Sequence, residues 1–231
     1  MVEQLALPGL PRGWWGIELP GYRKALAGVA TYSRHAANLP PIERELDDEL
    51  ELLRAQPPVS ESIAGAAASP EPTRPATRGE LRALLGRNDL ALPRSFSTFI
   101  GDTEARKRVR SCTACYLDLA DSLVAAPGGG HLIHFLSDQQ WVLHWLLYVG
   151  RDGNEAVVST EIPYGFDTPE APSRFELLPT AGVVCAESFA EFLYHFWIEN
   201  EIWFALAGPA DEPRPLTEEQ RRYAEHYVRS V

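Results

Sequence analysis

The stretch Trp141-Val142-Leu143-His144-Trp145-Leu146-Leu147-Tyr148-Val149 decides the fold. In an extended chain, alternate side chains point to opposite faces. One face then carries Trp141, Leu143, Trp145 and Leu147, and the other Val142, His144, Leu146 and Tyr148. A strand apolar on both faces belongs in the middle of a sheet, covered on both sides. Upstream, residues 131–136 form a partner strand joined through Ser137-Asp138-Gln139-Gln140. Downstream, Asp152-Gly153 is a strong hairpin signal leading into a strand over 156–160. Residues 116–119, 175–178 and 183–185 are further strand candidates.

The cover for this sheet lies C-terminal to it. Ser188 followed by Glu191 is a capping box. Phe189, Phe192, Leu193, Phe196, Trp197, Ile202, Trp203 and Phe204 wrap most of the helix that follows, which should be deeply buried. Gly208-Pro209 stops it. A last helix starts near Thr217, where Gln220 completes a second capping box, and Tyr223 and Tyr227 form its docking face. Helices against a hairpin-built sheet make the expected class α+β.

N-terminal to residue 79 the pattern differs. Helical spacing of Tyr22, Leu26, Val29 and Ala36 predicts a helix over 22–37. Pro40-Pro41 opens a second, whose apolar stripe is Ile42, Leu46, Leu50 and Leu53. That stripe must pack on the main domain, its neighbour or a partner. Residues 56–78 contain Pro57, Pro58, Pro70, Pro72 and Pro75 among small and polar residues, and read as a flexible linker. The expected division is a helical segment over 1–55, a linker over 56–78 and an α+β domain over 79–231. Within that domain a short helix is expected over 80–85.

The 231 residues carry 21 basic and 32 acidic groups, a net charge of -11. Residues 1–55 contribute -2, residues 56–110 contribute +3 and residues 111–231 contribute -12. Such a chain is a poor nonspecific nucleic-acid binder. No apolar run approaches the roughly 20 residues of a membrane span, and no secretion signal opens the chain. Three cysteines cannot make a disulfide framework, so a cytoplasmic location is expected.

Chemistry-bearing motifs are sparse. Cys112-x-x-Cys115 leads into a strand rather than opening a helix, and Cys185 could add only a third zinc ligand. His134 and His144 lie on adjacent strands. They share a face only if the connecting loop is odd in length or a bulge intervenes. Glu191, His195 and Glu199 share one helix face, in a spacing that suits a metal and equally a solvated stripe. Glu199-Asn200-Glu201 reads as a turn facing water, or as an acidic rim beside exposed tryptophan. Arg106, Lys107, Arg108 and Arg110 form a basic cluster whose ordinary reading is a solvated loop and whose sharper one is a phosphate contact. No nucleophile elbow, phosphate-cradling Gly loop or HExxH helix is present.

Several phrases together resemble the SUKH superfamily, which includes yeast-type cell-wall-assembly regulators and many bacterial proteins. They are Leu92-Pro93 with Phe96 and Phe99, residues 133–145 (IHFLSDQQWVLHW), the hairpin to Val158, and residues 188–204 (SFAEFLYHFWIENEIWF). The likeness covers about residues 80–207. It implies a curved, mostly antiparallel sheet with flanking helices, and a protein-binding role. Many bacterial relatives look like immunity proteins that block toxins, often nucleases. The expectation is therefore a non-enzymatic module for a protein partner with a basic surface. Catalytic residues, metal, cofactor, direct nucleic-acid contact and membrane are not expected. The contact residues proposed are Trp141, Trp145, Trp197, Glu199, Glu201 and Trp203, because tryptophan supplies contact area and carboxylates supply complementarity. The competing expectation is a small-molecule or metal site, or an enzyme, near His134, His144 or His195.

Overall fold

A computed structural model describes residues 7, 9–24, 32–35, 39–59, 62–64, 77–126, 129–162, 182–207 and 214–229. The expected strand over 175–178 and the Gly208-Pro209 stop lie outside them.

The central sheet is open and antiparallel. Its strands are β3 (Tyr116–Leu117), β4 (Val124–Ala125), β5 (His131–Ser137), β6 (His144–Val149), β7 (Glu155–Thr160) and β8 (Gly182–Ala186). They run in the order β3-β5-β6-β7-β8, with β4 also paired to β5. β6 is central and buried along its whole length. Its Trp145, Leu147 and Val149 enter one apolar cluster, and its Leu146 and Tyr148 enter another on the opposite face. The strand that is apolar on both sides therefore has two cores, as its pattern requires. Trp141, Val142 and Leu143 belong instead to the β5–β6 turn. Asp138 organises that turn: its Oδ1 accepts the N–H groups of Val142 (2.8 Å) and Leu143 (2.9 Å). Gly153, at φ +83°, makes the β6–β7 hairpin turn.

Helices α2 (Arg78–Gly86), α3 (Arg94–Gly101), α4 (Thr103–Arg106), α5 (Phe189–Ala207) and α6 (Glu218–Arg229) flank the sheet, with a single turn, α1 (Glu51–Arg54), before them. Thr77 and Glu80 form a reciprocal capping box on α2. Thr217 and Gln220 form one on α6, at 3.0 and 3.2 Å. α5 lies on the first core. Phe189 meets Phe96 of α3, both Phe189 and Phe192 meet Phe135 of β5, and Phe96 meets Phe135, through edge-on pairs with centroids 4.9–5.5 Å apart. The phrase after Leu92-Pro93 is thus a helix whose aromatics complete the core.

The N-terminal reading needs three corrections. First, Tyr32–His35 is a strand (β2), paired antiparallel with β1 (Trp14–Ile17), rather than part of a helix over 22–37. Pairing buries Trp14, Ile17 and Tyr32 in the main core, and that tertiary gain outweighs weak local helical spacing. Second, the helix expected over 41–55 survives only as α1. Glu43, Asp47 and Glu51 would stand four apart on it, as would Glu45 and Glu49, and such like-charge pairs destabilise a helix. Released from it, Glu43 pairs with Arg222, Arg44 with Glu219 and Glu49 with Arg94. Leu50 and Leu53 still reach the core. Third, part of the supposed linker is docked. Val59 N–H donates to Lys107 O and Ile63 N–H to Val109 O, both at 2.9 Å, and Ile63 is buried.

The outer edge of β8 is covered by residues 11–13. Val184 N–H donates to Pro11 O (2.9 Å) and Gly13 N–H to Val184 O (3.0 Å). This occupies a row of backbone groups that would otherwise invite another strand.

Candidate functional site

The proposed contact residues do not form a surface. Trp145 is 1% exposed, Trp197 5%, Glu199 2% and Glu201 5%; only Trp141 and Trp203 are half-buried. Trp203 lies edge-on to Phe204 at 5.1 Å. The acidic rim expected at Glu199-Asn200-Glu201 is an internal triple anchor. Glu199 accepts two hydrogen bonds from Arg23, at 2.7 and 2.6 Å. Asn200 Oδ1 accepts Cys112 N–H at 2.8 Å. Glu201 accepts two from Arg110, at 2.8 and 3.0 Å, and also pairs with Arg214. Consecutive helix residues point about 100° apart, so each reaches a different segment. Buried carboxylates persist only where charge and hydrogen bonds compensate them, which is why these two face arginines rather than water.

In the Glu191-His195-Glu199 stripe, His195 and Glu199 are buried and Glu191 is half-buried, so it is neither a fully solvated face nor a metal set. Tyr223 donates its hydroxyl proton to Glu199 (3.1 Å), so His195 donates to the Tyr223 oxygen from Nδ1 (3.0 Å). Burial pulls the Glu199 pKa up, but Arg23 outweighs it and holds the carboxyl below its ordinary value. Burial lowers His195 to about 4 against the opposing pull of Glu199. Among the described residues no group of three or more His, Cys, Asp or Glu side chains is placed to hold a metal ion.

His134 and His144 do share a face. A bulge between His134 and Leu136 shifts the β5–β6 register, so Ser137 opposes His144. The ring centroids are 5.0 Å apart. Ser137 joins them: it donates to Asp118 Oδ2 (2.8 Å) and receives His134 Nε2 (2.8 Å) and His144 Nδ1 (2.9 Å). The Trp141 indole donates to the same Asp118 oxygen at 3.1 Å. This orders the groups Asp–Ser–His, with the hydroxyl proton of Ser137 directed at the carboxylate. Both imidazoles then present N–H to Oγ, the reverse of what a general base does. His134, Ser137 and His144 are all 0% exposed, so the set is a polar knot within the fold. Burial, then the neighbouring His134, drives His144 down to about 2. The cysteines are similarly inert in character: burial raises the thiols of Cys112, Cys115 and Cys185 above their ordinary range.

The acidic concave surface lies elsewhere. A groove of about 410 Å³ runs between Pro40-Pro41 and the facing sides of α5 and α6. Glu43, Glu218, Glu219 and Glu225 line it against one arginine, Arg222, and Tyr194 and Tyr223 contribute its aromatic surface. Glu218, Arg222 and Glu225 step by four and three along one face of α6. Glu219 is held by Arg44 (2.8 Å) and by the Tyr194 hydroxyl (3.1 Å). A second cavity of about 220 Å³ shares Pro40 and Pro41 and is lined by Arg12, Glu187, Glu191 and His195. The two prolines, with φ locked by their rings, are a stiff wall common to both.

Sequence reading missed this groove because its two walls are about 175 residues apart. The α6 wall was partly legible as Glu218-Glu219 and Glu225 around a capped helix start. The wall at 40–43 lies where local pattern predicts a helix, and the chain there is not helical.

The fold is thus an α+β domain with an open antiparallel sheet and flanking helices. No protein-family model matches this chain, and no curated protein or solved structure matches it either. Among the described residues no helix is long and apolar enough to cross a membrane.

Proposed function

We propose that this chain is a non-enzymatic, cytoplasmic protein-binding module whose groove at Pro40-Pro41 and α6 takes a basic segment of a partner protein. The carrying observation is the lining of that groove: Glu43, Glu218, Glu219 and Glu225 stand with Arg222 and His226 on its walls, and Glu43, Glu218 and Glu219 are held in place by Arg222, Arg221 and Arg44. Carboxylates on a rigid concave frame favour guanidinium and ammonium groups and raise the rate of encounter with them. The resemblance to the SUKH superfamily agrees with this, and on it the partner is a basic toxin of the nuclease kind, neutralised by binding. The competing reading of a small-molecule or metal site, or an enzyme, near His134, His144 or His195 has less support, because the hydroxyl and imidazoles at His134 and His144 are fully buried and wrongly ordered for base catalysis, and His195 is buried against Tyr223.

The test is calorimetric titration of the full chain with an oligo-arginine peptide at low and at high salt. Saturable binding that weakens with salt is expected, and the triple variant Glu43→Gln/Glu218→Gln/Glu225→Gln should lose at least about tenfold in affinity. Glu104→Gln, on the exposed surface of α4, should bind like the parent. Equal binding by the triple variant and the parent refutes the assignment of this groove.

A further inference from the structure

The basic residues of this acidic chain are mostly spoken for. Arg23, Arg44, Arg54, Arg94, Arg110 and Arg222 each face a carboxylate. The cluster at 106–110 is consumed as well. Arg106 donates to Phe99 O, Lys107 pairs with Glu104, Arg108 donates to Gln56 O, and Arg110 is sealed against Glu201. Arg78 and Arg82 of α2 are different. Arg78 Nε donates to Ser97 Oγ at 3.0 Å and Arg82 Nη2 to the same oxygen at 2.8 Å. That brings the two guanidinium nitrogens within about 6 Å of each other. Among the described residues neither makes an ion pair. Two carboxylates close by in sequence to α2 and α3 have other partners: Glu80 accepts Thr77 N–H at 2.7 Å, and Asp102 accepts Ala105 N–H and an Arg54 N–H.

Two like charges at i and i+4 repel. Yet both are held in place. Ser97 is 3% exposed and fixed in α3. Arg78 also lies flat against Gly101, where a Cβ would come within 2.6 Å of Nη1. Each guanidinium gives one N–H to Ser97 and keeps the others toward solvent, since both residues are exposed. Two converging guanidinium forks on an immobile base suit a dianionic tetrahedral group.

We propose that Arg78, Arg82 and Ser97 form an anion site for a phosphate monoester, with the two arginines as ligands and Ser97 as the positioning residue. The site is independent of the acidic groove. Its ligand is a phosphorylated small molecule or a phosphoserine side chain, which share this chemistry.

The experiment is titration of the full chain with inorganic phosphate and with a phosphoserine peptide at constant ionic strength, read by calorimetry. Saturable binding of one or both is expected. Arg78→Gln and Arg82→Gln should each weaken it at least about tenfold, whereas Arg87→Gln, at the C-cap of α2, should not change it. Ser97→Ala keeps both charges but frees them, and should weaken binding by a smaller factor, about threefold or more. Tighter binding of the peptide assigns the site to a modified protein, and tighter binding of phosphate assigns it to small ligands. Absence of saturation, or equal loss in Arg87→Gln and Arg78→Gln, overturns the site. Thermal unfolding of each variant confirms that a lost signal is not a lost fold.

Discussion

Replacing Glu199 with glutamine leaves the volume of the site nearly unchanged and removes one charge. Arg23 is 7% exposed and Glu199 2%, and the pair exchanges two hydrogen bonds at 2.7 and 2.6 Å. Tyr223 and Tyr227 add their hydroxyls at 3.1 and 3.3 Å, and the Arg23 guanidinium lies 4.5 Å from the Tyr227 ring. In the variant, Arg23 keeps its charge but has no counter-charge, and it cannot escape to water without freeing residues 14–23 from α5. Breaking a buried pair in this way costs about 3–5 kcal/mol. For a domain of this size that lowers Tm by roughly 6–20 °C. Urea unfolding at pH 7, followed by tryptophan fluorescence, reads the loss directly. The double variant Arg23→Met/Glu199→Leu should recover most of it, because an apolar pair of similar volume leaves nothing uncompensated. The deficit should also shrink in acid. The Glu199 carboxyl titrates below its ordinary value near 4.5 when folded, so its contribution is present above that value and lost as pH falls through the folded pKa. A loss in Glu199→Gln no larger than that of an exposed pair such as Glu43–Arg222 would refute the view that this pair straps the N-terminal segment to α5 and α6.

Three further outcomes follow from the same packing. Burial holds His195 neutral down to about pH 4, while the unfolded chain titrates it near 6.5, so its contribution is full above 6.5 and fades as pH falls toward 4. Between pH 7 and 5, His195→Gln should therefore lose about 2 kcal/mol less stability than the parent, measured by urea midpoints at both pH values; parallel behaviour would sink the idea. Asn200→Ala orphans the half-buried Cys112 N–H and should cost about 1–3 kcal/mol, read as a lower Tm, with an unchanged Tm contradicting the anchor role. Gly130 sits at φ +74°, and a Cβ there would meet Val149 O at 2.6 Å, so Gly130→Ala should cost about 1–3 kcal/mol; a neutral result would mean that the approach of β5 to β6 is looser than described.

The parts of the fold legible in the sequence are those decided by neighbours along the chain. The alternation through 141–149 predicts a strand buried on both faces, and β6 is one, although Trp141–Leu143 is drawn into the turn by Asp138. The Thr217–Gln220 capping box forms as read, and Asp152-Gly153 turns the hairpin it predicts. The failures are places where distant partners outweigh local pattern. Tyr32 pairs with Ile17 rather than joining a helix, and the acidic run at 43–51 spends its charges on Arg94, Arg222 and the N-terminus of α1. Glu199 and Glu201 look like surface residues by composition. Only Arg23 and Arg110, 176 and 91 residues away, make them internal.

By itself, the sequence determined the class: a chain with a doubly apolar strand, two hairpin signals and an aromatic-wrapped helix has few ways to bury them other than an α+β sandwich of sheet and helix. It also determined the net charge of -11, on which the proposal of a basic partner rests. The tertiary structure alone decided where that charge is spent. A bulge of one residue put His134 and His144 on one face, buried arginines withdrew Glu199 and Glu201 from solvent, and the meeting of Pro40-Pro41 with α6 made the acidic groove. Periodicity reports which face of an element is apolar, because neighbouring side chains share a backbone. It carries no information about which charged group a carboxylate will meet across the core, because that pairing depends on the whole chain packing at once.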